Sequence, residues 1–264
     1  MNRNNWLSTW FHEGSRPDWS CPYCKNGKLV KHSLTFDETN SSKWSQENDP
    51  QFQIEWTIHR VTGIFKCSHC SEVAVMIGKG SVEYAQTGPE DWGYEHSYEP
   101  KYFEPPIQVF QISKKCPKPV REEIIKAFSL FWCDYAACAT KIRIAIEHIM
   151  DDQGIKNWGK DKKNKRVRLF LGVRLQLFEA KTRHKDVAKH LKAIKWIANE
   201  GSHVGELNRE DLLDGFELLE YSLEQLYDNK NARLIQITNS INKKKKPRSH
   251  LTSIGIKGHK KPAF

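Results

Sequence analysis

Apolar side chains recur every three or four residues between Val120 and Met150, and this spacing constrains the fold more than any other feature of the sequence. Side chains at such intervals share one face of an α-helix, whereas a strand would divide them between two faces. The stripe comprises Val120, Ile124, Phe128, Phe131, Tyr135, Cys138, Ile142, Ala145 and Ile149. Pro117 and Pro119 precede it, as is typical of a helix start. The pattern predicts one long helix, with a break near Asp134 as the alternative, whose apolar face other helices must cover.

Three later segments carry apolar stripes of the same kind. They comprise Leu169, Val173, Leu177 and Ala180, then Val187, Leu191, Ile194 and Ala198, and finally Leu212, Phe216, Leu219, Leu223 and Leu226. Asn208 precedes the last stripe as a good N-cap, and Asp211 follows where the helix dipole favours a negative charge. Four amphipathic helices with connections of moderate length predict a four-helix bundle over residues 119–228.

Two cysteine pairs give the strongest chemical signal in the chain. Cys21 and Cys24 form one Cys-x-x-Cys motif, and Cys67 and Cys70 form the other. Two thiolates at this spacing can bind one Zn²⁺ from a tight turn, and two such pairs complete the tetrahedral coordination of a structural site. We therefore predict these four cysteines as ligands of one structural Zn²⁺. Buried packing or a redox-active pair is the alternative.

The residues around the second cysteine pair predict the fold of the N-terminal part. Segments 61–66 and 73–77 are rich in β-forming residues, so the second pair is expected at the tip of a hairpin. Residues 51–59 alternate and predict a further strand, whereas the polar stretch 37–50 predicts an inserted loop. Together these features resemble a zinc ribbon over residues 1–82. The predicted fold class is therefore α+β, with a small antiparallel β zinc ribbon followed by the helical bundle.

Residues 83–118 predict a connector between these two parts. Five prolines argue against a helix here. Aromatic residues such as Trp92, Tyr94 and Tyr98 argue for a loop that packs on a neighbouring element. Residues 107–112 predict a short strand.

Positive charge is concentrated in two places. The net charge of +10 resides in residues 229–264, which hold ten Lys and Arg and no Asp or Glu, so the rest of the chain is neutral. These residues predict a basic tail that can contact nucleic acid. Segment 156–168 predicts a basic loop in which Trp158 could stack on a base. The candidate nucleic-acid ligands are Lys160, Lys162, Lys163, Lys165, Arg166 and Arg168 in the loop, and Lys243, Lys244, Lys245, Lys246 and Arg248 in the tail. Solvated charge without a partner is the alternative for both.

The sequence also predicts a cellular location. It contains no run of about 18 apolar residues that could span a membrane. Residues 1–11 lack the apolar stretch of a signal peptide. With cysteines at metal-type spacing, this predicts a protein of the reducing cytoplasm that does not contact membranes.

Several motifs together resemble a known family. Pro119, Ile124 and Ala127 are followed by Ala137, by Ile142-Arg143-x-x-Ile146-Glu147 and by Leu171-x-x-Arg174-Leu175-x-Leu177. Ile194-Lys195 and Ala198-Asn199-Glu200-Gly201-Ser202-His203 then precede the last predicted helix, which ends at Leu226-Tyr227. With the cysteine pairs, the motifs over residues 21–228 resemble the prokaryotic family known as domain of unknown function 4145 (DUF4145).

The resemblance implies both a fold and a setting. Members of this family often accompany restriction and other anti-phage defence genes, and its helical domain is similar to the HEPN class, which includes metal-independent ribonucleases. A ribonuclease would need a base near the ribose 2′-hydroxyl and a cation at the phosphate. His203, Asn199 and Lys195 are the candidates. However, Lys195 lies farther from His203 than the arginine of HEPN nucleases does, and it lacks the guanidinium fork.

We therefore expect a non-catalytic or accessory binding protein of an anti-phage system, whose partner is nucleic acid or another defence protein. Two alternatives stay open. One is a metal-independent HEPN-type ribonuclease that uses His203, and the other is a structural module that forms homo-oligomers.

Overall fold

The computed structural model describes residues 1–86, 91–200, 207–228 and 230–244, and it has an N-terminal antiparallel sheet followed by a helical region. This confirms the α+β class. The strands of the sheet are β1 (Phe11–His12), β2 (Leu29–Glu38), β3 (Ile58–Cys67), β4 (Val73–Gln86) and β5 (Trp92–Glu104), in the order β1-β5-β4-β3-β2. Two helices belong to this part, α1 (Asn4–Leu7) and α2 (Asn40–Asn48). The helical region contains α3 (Lys118–Leu130), α4 (Tyr135–Asp152), the hairpin β6 (Trp158–Lys160) and β7 (Arg166–Arg168), α5 (Leu171–Lys181), α6 (Lys185–Glu200), α7 (Arg209–Leu223) and α8 (Lys230–Lys244).

The sheet curls around its buried face. Alternate residues of β3, from His59 to Cys67, are buried, as expected for strands with one face in a core. Phe36 on β2 contacts His96 on β5, with ring centroids 4.8 Å apart, although β3 and β4 lie between these strands. Gly80 makes this curvature possible, because a Cβ there would lie 2.7 Å from Val61 Cγ2. The buried face is therefore a narrow interior whose size is set partly by glycine.

Three segments of the N-terminal part differ from the sequence prediction. The expected loop at 37–50 contains α2, which Thr39 caps by accepting a hydrogen bond from the Ser42 amide. A 3₁₀ turn occupies 54–56, so a strand begins only at Ile58. Residues 92–104 form a strand of the sheet rather than a loop, because a bulge opposite Gly78 accommodates Pro100. Residues 107–112 are irregular but largely buried.

The long predicted helix is two helices. Asp134 interrupts the stripe and caps α4, since its carboxylate accepts a hydrogen bond from the Ala137 amide at 2.8 Å. Lys141 of α4 lies 3.3 Å from Glu123 of α3, so the two helices fold back on each other. The expectation of one continuous helix is wrong, and the alternative of a break near Asp134 is confirmed.

The later stripes form α5, α6 and α7 close to their predicted positions. Asn208 caps the start of α7, as predicted, and the Asp211 carboxylate accepts a hydrogen bond from the Asn208 amide in return, so the two residues form a capping box. Among the described residues, however, positions 118–228 contain five α-helices rather than four, because the first predicted helix is two, and a π-helical turn at Glu224–Asp228 follows α7. Part of the expected tail is α8, and the expected basic loop contains the β6–β7 hairpin. None of the helices in the described ranges is long and apolar enough to cross a membrane.

A single hydrophobic core joins the sheet to the helices. The indole of Trp19, which precedes the first cysteine pair, is fully buried. It packs edge-on against Phe103 of β5 and against Trp132, with centroids 5.1 and 5.6 Å away. Trp132 lies in the turn between α3 and α4. The turn between these helices is therefore buried against the sheet.

Candidate metal centre and nucleic-acid interface

The two cysteine pairs have the same backbone form. In each, the residue directly after the Cys-x-x-Cys motif donates its amide hydrogen to the carbonyl of the first cysteine: Lys25 to Cys21 and Ser71 to Cys67, both at 3.1 Å. Lys25 and Ser71 both have φ of 60°, the left-handed conformation that reverses the chain. The second pair lies in the β3–β4 turn, so the predicted hairpin tip is confirmed.

The four sulfurs lie in one cluster. Cys21 Sγ is 3.8 Å from Cys70 Sγ, Cys24 Sγ is 3.6 Å from Cys67 Sγ, and all four lie within 4.8 Å of one another. Tetrahedral coordination with metal–sulfur bonds of about 2.3 Å separates sulfurs by about 3.8 Å. A disulfide would require about 2.05 Å. The four cysteines predicted as ligands are therefore together, at spacings that suit a metal ion rather than a cystine.

The surroundings of the sulfurs favour the thiolate at some of the four cysteines and oppose it at others. Burial opposes ionisation of Cys67, but the backbone amides of Cys70 and His69 donate to its sulfur and lower the pKa of Cys67 to about 6. The Glu72 backbone favours the Cys70 thiolate, yet lost hydration and the neighbouring thiols raise the pKa of Cys70 to about 12. Like charges at this spacing repel. A bound cation would offset that repulsion, so the donor set fits a metal.

Gly27 is required where the two pairs meet. A Cβ at this position would lie 2.4 Å from Cys67 Sγ and 2.8 Å from the His69 Cβ. The Cys21 amide donates to the Gly27 carbonyl at 2.9 Å, which closes the first turn, and the Ser68 amide of the second turn donates to the Lys28 carbonyl at 2.9 Å. The Asn26-Gly27 sequence after the first pair therefore allows a sulfur to approach the backbone closely.

The basic hairpin presents one exposed face. Trp158 pairs with Arg168 and Lys160 with Arg166, so these four side chains share a face while Gly159 lies on the other. All four are exposed. The Arg166 guanidinium lies 4.6 Å from the centroid of the Trp158 ring. A cationic, aromatic surface of this kind can contact phosphates and stack on a base.

The acidic residue of this segment is engaged in the turn. The Asp161 carboxylate accepts hydrogen bonds from the amides of Lys163 and Lys165 at 2.8 and 2.9 Å. The side chains of Lys162, Lys163 and Lys165 are exposed beside it. Arg168 lies 3.8 Å from Glu147 of α4. The predicted basic residues of this segment therefore all lie in the β6–β7 hairpin or its turn, with their side chains exposed.

The predicted tail ligands are divided by the limit of the described residues. Lys243 is exposed near the end of α8, and Lys244 is the last residue of that helix. Lys245, Lys246 and Arg248 lie outside the described residues.

The candidate ribonuclease residues are only partly described. His203 lies outside the described residues. Asn199 on α6 accepts a hydrogen bond from Arg143 of α4 at 2.5 Å. The Lys195 ammonium lies 3.4 Å from the centroid of the Trp196 ring.

Sequence reasoning did not identify Arg143 as a neighbour of Asn199. The spacing of Arg143 and Glu147 predicts only a weak surface pair, which the structure places at 3.9 Å. The contact with Asn199 joins residues far apart in sequence. The sequence evidence that could have connected them is that both residues belong to the motifs that resemble DUF4145.

The protein is thus an α+β protein of two parts. A curled sheet carries four cysteines that could bind a metal, and one hydrophobic core joins it to a helical region. The two parts match two family models. Residues 125–248 match the model of a domain of unknown function, DUF4145. Residues 9–105 match a second domain of unknown function, DUF8608. The resemblance to DUF4145 is thus confirmed for the helical part, whereas the cysteine-containing part matches a different model. No curated protein and no solved structure matches the chain.

Proposed function

We propose that this protein is an accessory nucleic-acid-binding protein whose β6–β7 hairpin contacts the ligand. The observation that carries the proposal is the shared, exposed face of Trp158, Lys160, Arg166 and Arg168. Lysine and arginine on such a face neutralise phosphates and release counterions, and an exposed indole adds stacking. Because the Asp161 carboxylate accepts hydrogen bonds from backbone amides, it competes less for the basic side chains.

The rest of the molecule has a supporting role in this proposal. We propose Zn²⁺ as the ion of the four cysteines, since four thiolates without an open position are typical of structural zinc. With Zn²⁺ bound, the N-terminal part would be a zinc-ribbon-like module. The resemblance to DUF4145 supports a HEPN-like helical part. The DUF4145 resemblance supports a setting in anti-phage defence. A protein of that system is the alternative partner.

Fluorescence anisotropy with labelled single-stranded RNA, single-stranded DNA and duplex DNA tests the proposal. The triple variant Lys160→Gln, Arg166→Gln and Arg168→Gln should weaken binding at least about tenfold and reduce the salt slope by up to about three. A matched triple, Arg60→Gln, Lys66→Gln and Lys79→Gln, removes the same charge from exposed sheet residues. It should change affinity less than about twofold.

Two further results decide the contribution of the hairpin. Trp158→Ala should weaken single-stranded binding by roughly five- to a hundredfold, because stacking on an aromatic ring contributes about 1–3 kcal/mol. Its effect on duplex binding should be smaller. Equal losses in the two triple variants would show that only net charge matters and would contradict a hairpin interface.

A metal-independent ribonuclease is the second candidate, favoured by the contact between Arg143 and Asn199. Arg143 would supply, beside Asn199, the guanidinium fork that Lys195 lacks. The test incubates labelled RNA with wild type, His203→Ala and Arg143→Ala in the presence of a chelator. Cleavage by wild type and by neither variant would establish catalysis and overturn the accessory role.

A further inference from the structure

Three polar side chains lie together at one end of the sheet interior. The cysteines lie at the other end of β3. His59 on β3 and His96 on β5 contact each other, with ring centroids 5.2 Å apart and planes at 74°. Phe36 packs against both rings. Glu38 pairs with His59 across β2 and β3. A Cβ at Gly80 would lie 3.1 Å from both the His59 Cβ and the Phe36 ring, so the absence of a side chain there leaves room for these two residues.

Each of these polar side chains has a buried atom without a hydrogen-bond partner among the described residues. The atoms are Nδ1 of His59, Nδ1 of His96 and Oε1 of Glu38. His59 is the most deeply buried of the three, with 7% of its surface exposed. Buried polar atoms are almost always satisfied by protein, water or an ion. Three unsatisfied atoms in neighbouring side chains therefore indicate a missing partner.

We propose that His59 and His96 bind a divalent transition-metal ion, with Glu38 as a third ligand. Imidazole nitrogens at about 2.0–2.1 Å from a tetrahedral ion place their ring centroids about 5 Å apart, close to the observed separation. Two imidazoles and a carboxylate suit Zn²⁺, Co²⁺ or Ni²⁺. Among the described residues, only the cysteines form a set of three or more whose ligand atoms all lie within 4.8 Å of one another. The Glu38 carboxylate is therefore not yet at ligand distance, and its side chain must rotate toward the two imidazoles to bind the same ion.

The surroundings of the pair suit a ligand site. The neutral form of imidazole binds metals, and burial, followed by the neighbouring His96, lowers the pKa of His59. Phe36 fixes the ring orientations from the apolar side. His96 also lines an open cleft of about 570 Å³, together with Lys31, Tyr94 and Glu95. The cleft therefore brings solvent to His96, one of the two imidazoles.

The test uses the full chain with its cysteine site already filled by one equivalent of Zn²⁺. Titration calorimetry with Ni²⁺ and with Zn²⁺ should detect one further equivalent. His96→Gln and Glu38→Gln should each weaken this second site, by roughly a hundredfold for the histidine. His32→Gln, an exposed residue on β2, is the matched control and should leave it unchanged.

A second measurement does not depend on how the variants fold. X-ray absorption at the nickel edge of the wild-type protein should show nitrogen and oxygen ligands and no sulfur. Absence of a second equivalent in the wild type would overturn the proposal. So would a second equivalent that persists at full affinity in His96→Gln, or one whose ligands include sulfur.

Discussion

Replacing Gly27 by alanine tests the close contact between the two cysteine turns. The new Cβ would lie 2.4 Å from Cys67 Sγ, whereas ordinary contacts between heavy atoms are about 3.5–4.0 Å. The sulfur must therefore move by more than about 1 Å, several times the roughly 0.2 Å that metal–ligand distances tolerate. The backbone of His69, 2.9 Å from the new atom, limits movement on the other side.

The expected effect has a steric part and a metal part. Overpacking of this kind costs about 1–3 kcal/mol, which lowers Tm by roughly 2–12 °C for a chain of this size. Displacing one thiolate should also weaken metal binding at least about tenfold. Metal content after dialysis against a mild chelator, and thermal unfolding by circular dichroism, measure the two parts separately.

The control for this experiment is Gly215→Ala in α7. A Cβ there would meet Ile197 at 3.9 Å, an ordinary contact, so alanine should leave metal content unchanged and stabilise the helix by up to about 1 kcal/mol. If Gly27→Ala kept a full equivalent of metal and the wild-type Tm, the proposed contact between the turns would be refuted.

Three other perturbations have defined outcomes. Full removal of the ion by a strong chelator at mildly acidic pH should lower Tm, because metal-binding free energy is folding free energy; an unchanged Tm in metal-free protein would exclude a structural role. Hydrogen bonding to Lys126, reinforced by Lys141, lowers the pKa of Glu123, so its stabilisation is present above the unfolded value and lost as pH falls through the lower folded one. Urea unfolding should therefore show Glu123→Gln less stable by about 1 kcal/mol at pH 7, with a difference that shrinks as the pH falls below the usual glutamate range, whereas a pH-independent difference would contradict this. Arg209→Met removes the donor to the Trp6 carbonyl at 2.6 Å and should cost about 2 kcal/mol in the same assay; no loss would show that this bond contributes nothing.

Features set by local spacing could be predicted from the sequence. The stripes of α5 to α7 repeat within a few residues, and the N-cap at Asn208 is recognised from neighbouring positions. The four cysteines could be predicted as metal ligands because two Cys-x-x-Cys motifs are typical of a structural metal site. The sulfur distances agree with that assignment.

Features set by tertiary contacts could not. Helix α2 has no apolar stripe, and its one buried residue, Ser42, accepts a hydrogen bond from the Ile58 amide across the chain. The strand at 92–104 contains Pro100, which only a bulge against β4 accommodates. The pairing of Arg143 with Asn199 and of His59 with His96 likewise depends on how distant segments pack. Spacing rules contain no information about such pairs.

The contact between Trp19 and Trp132 has a consequence for how the two families can combine. One indole belongs to the DUF8608 match and the other to the DUF4145 match, and both are buried in the same interior. A chimera that exchanged either half for a relative lacking its tryptophan would open a void at the joint. A chimera of the two families should therefore keep both tryptophans, or a pair of residues that fills the same space, if it is to unfold in one cooperative thermal transition.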